Sequence, residues 1–313
     1  MERNYRFAII GVAGYIAPRH IKAVQATGNN LVAAHDISDS VGILDSYFPN
    51  AEFTTDVNYF EQLLKNNGAD FLTVCTPNHF HCRHTLMGLH SGADVICEKP
   101  LALSPGEVES MVGEARKTGH KVWTILQLRL HPEIIRLKEL VSKGDSGHIY
   151  DVDLSYITPR GKWYAASWKG DCNKSGGVAC NIGIHFIDML LWVFGPMESV
   201  IIHHSSPDAV AGLILLKNAR VRFFLSINAA HRPSVEGINA MTPYRNLVID
   251  NEPFDFTGGF TDLHTLSYSR IIDGSGFSIE DASGAIDVLH EINRTTACGL
   301  SGDIHPLAMQ VLS

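Results

Sequence analysis

The stretch Tyr5-Arg6-Phe7-Ala8-Ile9-Ile10-Gly11-Val12-Ala13-Gly14-Tyr15-Ile16-Ala17 sets a buried-strand run directly before a turn of small residues. Tyr5 to Gly11 suits a central strand, and a helix is expected to follow from about Pro18 to Thr27. Gly11, Ala13 and Gly14 depart from G-x-G-x-x-G because the middle glycine is Ala13. A small residue there still lets the backbone approach a pyrophosphate, and the start of the next helix favours an anion. Tyr15 and Ile16 complete the turn. By itself this is a weak signal. Asp36 strengthens it, ending a second apolar run, Leu31 to His35, near the ~20-residue spacing of an acid that hydrogen-bonds an adenosine ribose. Its carboxylate would repel a 2′-phosphate and no Arg follows directly, so NAD is expected in preference to NADP.

Outward from this segment, Phe71 to Cys75, Asp94 to Cys97 and Lys121 to Leu126 are further apolar runs separated by helical patterns. Such alternation implies a parallel sheet of βαβ units. One helix is well specified. Ser104 can cap it, Pro105 stands at its first position, Glu107 completes a capping box, and Gly119 can end it. Val108, Met111, Val112 and Ala115 share a face.

Near residue 126 the pattern changes. Val152, Leu154 and Tyr156 alternate with Asp151, Asp153 and Ser155, while Val221, Phe223, Leu225 and Ile227 alternate with Arg220, Arg222, Phe224 and Ser226. This period of two suits antiparallel strands with one covered face. Further strands are expected at 198–204, 209–216 and 246–256. A helix from Gly183 to Phe194 ends at Gly195-Pro196, and another follows Ser278. The chain therefore reads as α/β with two domains, 1–125 and 126–313.

Composition narrows the function. Of 313 residues, 25 are Lys or Arg and 33 are Asp or Glu, a net charge of −8. That excludes a broadly basic surface, so neither nucleic acid nor an anionic membrane is an expected partner. The early uncharged run Phe7 to Pro18 is too short to span a bilayer and lacks the layout of a signal peptide. Cys75, Cys82, Cys97, Cys172, Cys180 and Cys298 show no C-x-x-C spacing. They read as buried thiols of a cytoplasmic protein, with no metal site expected.

Three segments carry chemistry. Thr76-Pro77-Asn78-His79-Phe80-His81 follows the third strand, and Glu98-Lys99-Pro100 the fourth. Both lie at carboxyl ends of strands, where ligands bind in open α/β sheets. Asn181-Ile182-Gly183-Ile184-His185 opens the later helix, and its spacing of four puts Asn181 and His185 on one face. As a set these segments resemble the Gfo/Idh/MocA oxidoreductases, over nearly the whole chain. The fuller pattern is similar to the WlbA/WbpB-type UDP-N-acetylglucosaminuronate 3-dehydrogenases within that family. It includes Gly11 to His20, Asp39 to Pro49, and Gly259-Phe260-Thr261-Asp262-Leu263-His264-Thr265.

The resemblance implies an N-terminal Rossmann domain with a parallel sheet, and a C-terminal α/β domain with an open, mainly antiparallel sheet for substrate binding and oligomerisation. It implies NAD contacts from Gly11, Ala13, Gly14, Tyr15, Ile16, Asp36, Thr76, Pro77, Asn78, His81, Glu98, Lys99 and Gln127. It further implies a cytoplasmic homo-oligomer, dimer or tetramer, that oxidises a UDP-sugar uronate at C3 for bacterial surface polysaccharide. Lys99 and His185 are then expected at the reacting carbon. Many relatives carry Asp four residues before the His, but here Asn181 can neither act as a base nor supply charge. Lys99 can stabilise a developing alkoxide as an ammonium, or act as base if neutral, and His185 is the other base candidate. The preferred assignment is His185 as proton acceptor. Glu98 is expected to position its segment or meet a ribose; His79 and His81 line the site or cap the loop.

A nucleotide-sugar uronate needs local cations on an acidic protein. Arg160-Gly161-Lys162-Trp163-Tyr164 with Ser167-Trp168-Lys169 supplies charge and aromatic faces. Arg129, Arg232, Arg245 and His264 are weaker candidates. Two alternatives stay open: a dehydrogenase of a free sugar or polyol, and a non-enzymatic NAD-binding regulator on the same scaffold.

Overall fold

The protein is described by a computed structural model covering residues 4–145, 147–234, 239–256, 258–259 and 262–313. Two compact units emerge, Met1–Gln127 with Thr261–Ser283, and Leu128–Phe260 with Gly284–Ser313.

The first unit holds β1 (Arg6–Ile10), β2 (Asn30–His35), β3 (Glu52–Thr54), β4 (Phe71–Val74), β5 (Asp94–Cys97) and β6 (Val122–Thr124), with α1 (Ala17–Ala26), α2 (Ile43–Tyr47), α3 (Val57–Asn66), α4 (His81–His90) and α5 (Pro105–Thr118) between them. Later elements of the chain are β7 (Tyr150–Ile157), β8 (Met197–Ser205), β9 (Ala209–Leu216), β10 (Ala219–Ser226), β11 (Tyr244–Ile249), β12 (Glu252–Pro253) and β13 (Phe277–Ser278). The remaining helices are α6 (Pro132–Lys143), α7 (Lys162–Ala166), α8 (Cys172–Ser175), α9 (Ile184–Phe194), α10 (Leu263–Ile272), α11 (Ile279–Arg294) and α12 (Pro306–Leu312).

The first sheet runs β13-β6-β5-β4-β1-β2-β3. β1 to β6 are parallel and β13 pairs antiparallel with β6. Strand order reverses beside β1, so the ends of β1 and β4 form the switch point at which such sheets bind ligands. Phe7 anchors the core, stacked on Phe71 at 4.9 Å and Tyr268 at 5.6 Å between ring centres. Burying such a side chain contributes roughly 1.5–3 kcal/mol. The expected capping of α5 is present with one change, the Glu107 carboxylate reaching the N–H one residue before the cap. Ser104 Oγ accepts from Glu107 N, Glu107 Oε2 accepts from Leu103 N, and Gly119 takes the left-handed conformation.

The second sheet runs β12-β11-β7-β10-β9-β8. All its pairs are antiparallel except β7–β10. α9 packs on its apolar face, where Phe186 meets Tyr156 at 4.7 Å and a Cβ on Gly183 would strike Leu225. The opposite face is also occupied. Arg222 pairs with Asp151, Asp153 and Asp303, and Ile304 and Ala308 pack on Ile157, Ala211 and Phe224. The helical stretch Cys172–Phe194 is long and apolar enough to cross a membrane, but 72% of its apolar window is buried within the fold.

Three expectations need correction. The division at 125/126 holds the chain's second part together, whereas Thr261–Ser283 lies in the first unit. The cause is local: Tyr268 and Ile271 of α10 join the core around Phe7, and β13 extends the sheet at β6. β3 and β13 were not expected, being three and two residues long. Of the six free cysteines, Cys172 and Cys298 are exposed, on a short helix and in a coil with no core to enter.

Candidate active site

At the end of β1, Gly11 has φ +87°, and a Cβ there would lie 2.6 Å from the backbone of Cys75. Only glycine permits this approach of the β1 and β4 ends. Gly11 N and Val12 N both donate to His35 O. Ala13 N donates to Asp36 Oδ2 at 2.9 Å, and Ser38 N to Asp36 Oδ1 at 3.0 Å. Asp36 thus ties the end of β2 to the turn. Ala13 and Tyr15 are exposed, Gly14 and Ile16 half-buried. α1 starts without a side-chain cap and without an acid in its first turn. The dipole at this uncapped start favours an anion, and the small residues let the backbone come close, so these residues fit the pyrophosphate of a dinucleotide.

After β4, Thr76 and Pro77 lead into a tight turn, Asn78–Phe80, that buries Asn78. His81 fastens this loop to the next one, with Nε2 2.8 Å from Thr76 O and Nδ1 2.7 Å from Pro100 O. Burial pushes His81 below the ordinary imidazole range, although both carbonyls favour the cation. His79 is half-buried beside Phe80 and Gln127 opens the short turn after β6.

Lys99-Pro100 is a cis peptide. Before it, Glu98 is buried on the end of β5. Its Oε1 lies 2.9 Å from His20 Nε2 and 3.4 Å from His264 Nε2. Its Oε2 accepts from Lys99 N at 3.0 Å and lies 3.4 Å from Lys99 Nζ. Behind His20, Nδ1 is 2.9 Å from Tyr268 Oη, which is 2.9 Å from Thr73 Oγ1. Burial alone would raise the Glu98 carboxyl; Lys99 and the two histidines instead hold it well below the usual carboxylate range. Burial lowers His20 as well, against the pull of Glu98. Sequence reasoning found Glu98 and Lys99 but missed His20, Tyr268 and Thr73 as partners. Although His20 and His264 stood in the quoted segments, nothing local shows that they converge.

In the second unit, His185 is half-buried in the first turn of α9. Regular α-helix begins only at Ile184; Ala179–Gly183 is a wider π turn. Asn181 therefore stands in that turn, where Nδ2 donates to Lys169 O at 3.3 Å. This bond ties the 162–175 segment to the start of α9. Arg160, Lys162 and Trp163 are exposed there, and Trp168 lies 4.9 Å beneath the Lys169 ammonium. Three weaker candidates are committed elsewhere. Arg129 grips Asp188, one helical turn beyond His185, through Nε at 3.1 Å and a terminal nitrogen at 2.7 Å. Arg232 donates to Thr242 O and Pro233 O, and His264 serves Glu98. Arg245 lies over the rings of Tyr156, Phe186 and Phe256. Phe260 and Thr261 of the quoted motif lie outside the described residues.

Residues 5–126 match an oxidoreductase family model, the NAD-binding Rossmann fold, and residues 138–234 match that family's C-terminal alpha/beta domain. The chain belongs to the Gfo/Idh/MocA oxidoreductase family. It is similar to the WlbA (WbpB) dehydrogenase from Thermus thermophilus, crystallised with NAD and UDP-GlcNAcA, at 42% identity and TM-score 0.91 over 96% of this chain and 99% of that one. The WlbA dehydrogenase from Bordetella pertussis shares the fold, with TM-score 0.80 and 20% identity over 97% of this chain and 99% of that one. Among curated relatives, the D-glucoside 3-dehydrogenase of Escherichia coli is 34% identical over 197 residues, which are 61% of this chain and 54% of that protein. The chain spans little more than half the length of that relative.

Proposed function

We propose that this protein catalyses NAD-dependent oxidation of the C3 hydroxyl of UDP-N-acetylglucosaminuronic acid to the 3-keto sugar, in the cytoplasm and for bacterial surface polysaccharide. The observation that carries this reading is the 42% identity, over 96% of the chain, with a dehydrogenase crystallised with NAD and UDP-GlcNAcA. When bound, NAD supplies the hydride acceptor.

Gly11, Ala13, Gly14, Tyr15, Ile16 and Asp36 hold the adenosine and pyrophosphate part. Thr76, Pro77, Asn78, His81, Glu98, Lys99 and Gln127 hold the nicotinamide part. Lys99 stabilises negative charge on the sugar oxygen, its own charge supported by Glu98 at 3.4 Å. His185 accepts the hydroxyl proton, which Asn181 cannot do. Asn181 orients the 162–175 segment through Lys169 O. Arg160 and Lys162 meet the anionic groups of the substrate, and Trp163 and Trp168 offer ring faces. The second unit carries homo-oligomer formation.

The 34% identity with D-glucoside 3-dehydrogenase favours a second reading, oxidation of an unlinked sugar at C3. Thermal melts separate the two. UDP alone raises Tm if the site takes a nucleotide sugar, because a ligand bound by the native state stabilises it. No shift with UDP, together with NAD reduction by a free glucoside, would select the second reading.

A further inference from the structure

His20 and His264 are 244 residues apart, yet both aim Nε2 at the same oxygen of Glu98. That leaves Oε2 to face the backbone and ammonium of Lys99. We propose that His20, held by Tyr268 and supported by His264, is a positioning residue that fixes the buried Glu98 carboxylate against Lys99 and so keeps Lys99 in its ammonium form during turnover. This rests on the dehydrogenase reading above.

The hydrogen-bond directions are set by the donors available. Glu98 as carboxylate only accepts, so His20 must donate from Nε2. Its Nδ1 then accepts from Tyr268 Oη–H, and Tyr268 Oη accepts from Thr73. Each member is satisfied with a neutral His20, in line with the downward push of burial on that ring. The chain ends inside the sheet: Tyr268 is 0% exposed and Thr73 is 1% exposed. A route for expelling protons needs an outlet to water, and among the described residues this hydrogen-bond chain ends at two buried hydroxyls. Its role is therefore to hold a charge and a direction. The titratable groups around Glu98 are His20 from α1, His264 and Tyr268 from α10, Cys75 after β4, His81 from α4, and Cys97 and Lys99 on its own strand and loop. Among these, Lys99 supplies the one fixed positive charge.

The test uses the full-length protein with NAD. Replacing His20 with Leu removes the donor, while His20→Gln retains an N–H at similar reach. The first variant is expected to lower kcat about tenfold, the scale of a hydrogen bond to a charged group. KM for NAD stays within about twofold, because the adenosine-side contacts are unchanged. The alkaline limb of the kcat profile moves down by about one pH unit, as the Glu98 carboxylate is no longer held in place beside the reacting centre. His20→Gln recovers most of both. A purely structural histidine would instead lower Tm and leave the alkaline limb in place; that result overturns the proposal. Histidine ¹⁵N spectra of the wild type give a readout independent of turnover and of variant folding. They should show His20 protonated on Nε2 and neutral from about pH 6 to 9, the range around the ordinary imidazole value. Protonation on Nδ1, or titration near the ordinary value, overturns the proposal. If wild-type protein turns over no UDP-sugar, the dehydrogenase reading fails while the spectra still decide the hydrogen-bond chain.

Discussion

Removing the Arg129 guanidinium should destabilise the second unit strongly and blunt catalysis with it. Arg129 and Asp188 have side chains only 8% and 3% exposed, joined by two hydrogen bonds of 3.1 and 2.7 Å. Arg129→Met removes the counter-charge of a buried carboxylate, a loss of about 3–5 kcal/mol; Asp188→Leu removes the carboxylate that the guanidinium grips, at similar cost. The double variant Arg129→Met, Asp188→Leu leaves no buried charge and two apolar side chains of comparable size. It should lie within about 1 kcal/mol of wild type, because a well-packed apolar pair is often neutral against a buried ion pair. The assay is urea unfolding followed by tryptophan fluorescence. Trp163, Trp168 and Trp192 lie in the second unit and Trp123 in the first, so the signal favours the unit that is perturbed. Because Asp188 lies one turn beyond His185 on α9, each single variant should also lower kcat more than it raises KM. A loss below about 1 kcal/mol in Arg129→Met, or a double variant as unstable as the sum of the singles, would refute the reasoning.

Other substitutions probe the first unit. Gly11→Ala should cost about 1–2 kcal/mol for the left-handed backbone alone. The clash with the Cys75 backbone adds to that, and the melting-temperature gain on adding NAD should disappear. Asp36→Ala removes the acceptor for Ala13 N and Ser38 N together with the charge that opposes a 2′-phosphate, so the Kd for NAD should rise while the NADP/NAD ratio of Kd falls. Burial pushes His84, beside Thr76 Oγ1, down to about 3. A lowered histidine binds its proton sooner when unfolded, so stability should fall as pH drops below about 6.5, by at most about 1.4 kcal/mol per pH unit. Urea midpoints across that range should vary less in His84→Gln than in wild type.

Much of the scaffold was legible because it is written locally. Asp94–Cys97 coincides with β5, residues 209–216 with β9, and the Ser104–Gly119 capping signals with the ends of α5. The glycine turn and Asp36 could be read for the same reason, since strand, turn and acid follow one another in the chain. Short or non-local features escaped. β13 is two residues long and gains its meaning only from β6, and α10 returns to the first unit through Tyr268 and Ile271. The π turn before α9 altered the simple spacing between Asn181 and His185, because periodicity assumes a regular helix. The neighbours of Glu98 were hidden for a further reason. His20 and His264 each look like an ordinary helical histidine until the sheet brings them to one carboxylate.

The central claim is tested most directly by following reduced-nicotinamide absorbance in a single turnover, with purified protein in excess over UDP-N-acetylglucosaminuronic acid and NAD present. Single turnover matters because retained NADH would mask steady-state activity. A burst of NADH that tracks the amount of UDP-sugar, lost in Lys99→Ala and in His185→Asn, is the predicted result. No hydride transfer from the UDP-sugar, either in that burst or with an added 2-oxo acid as acceptor, would contradict the account.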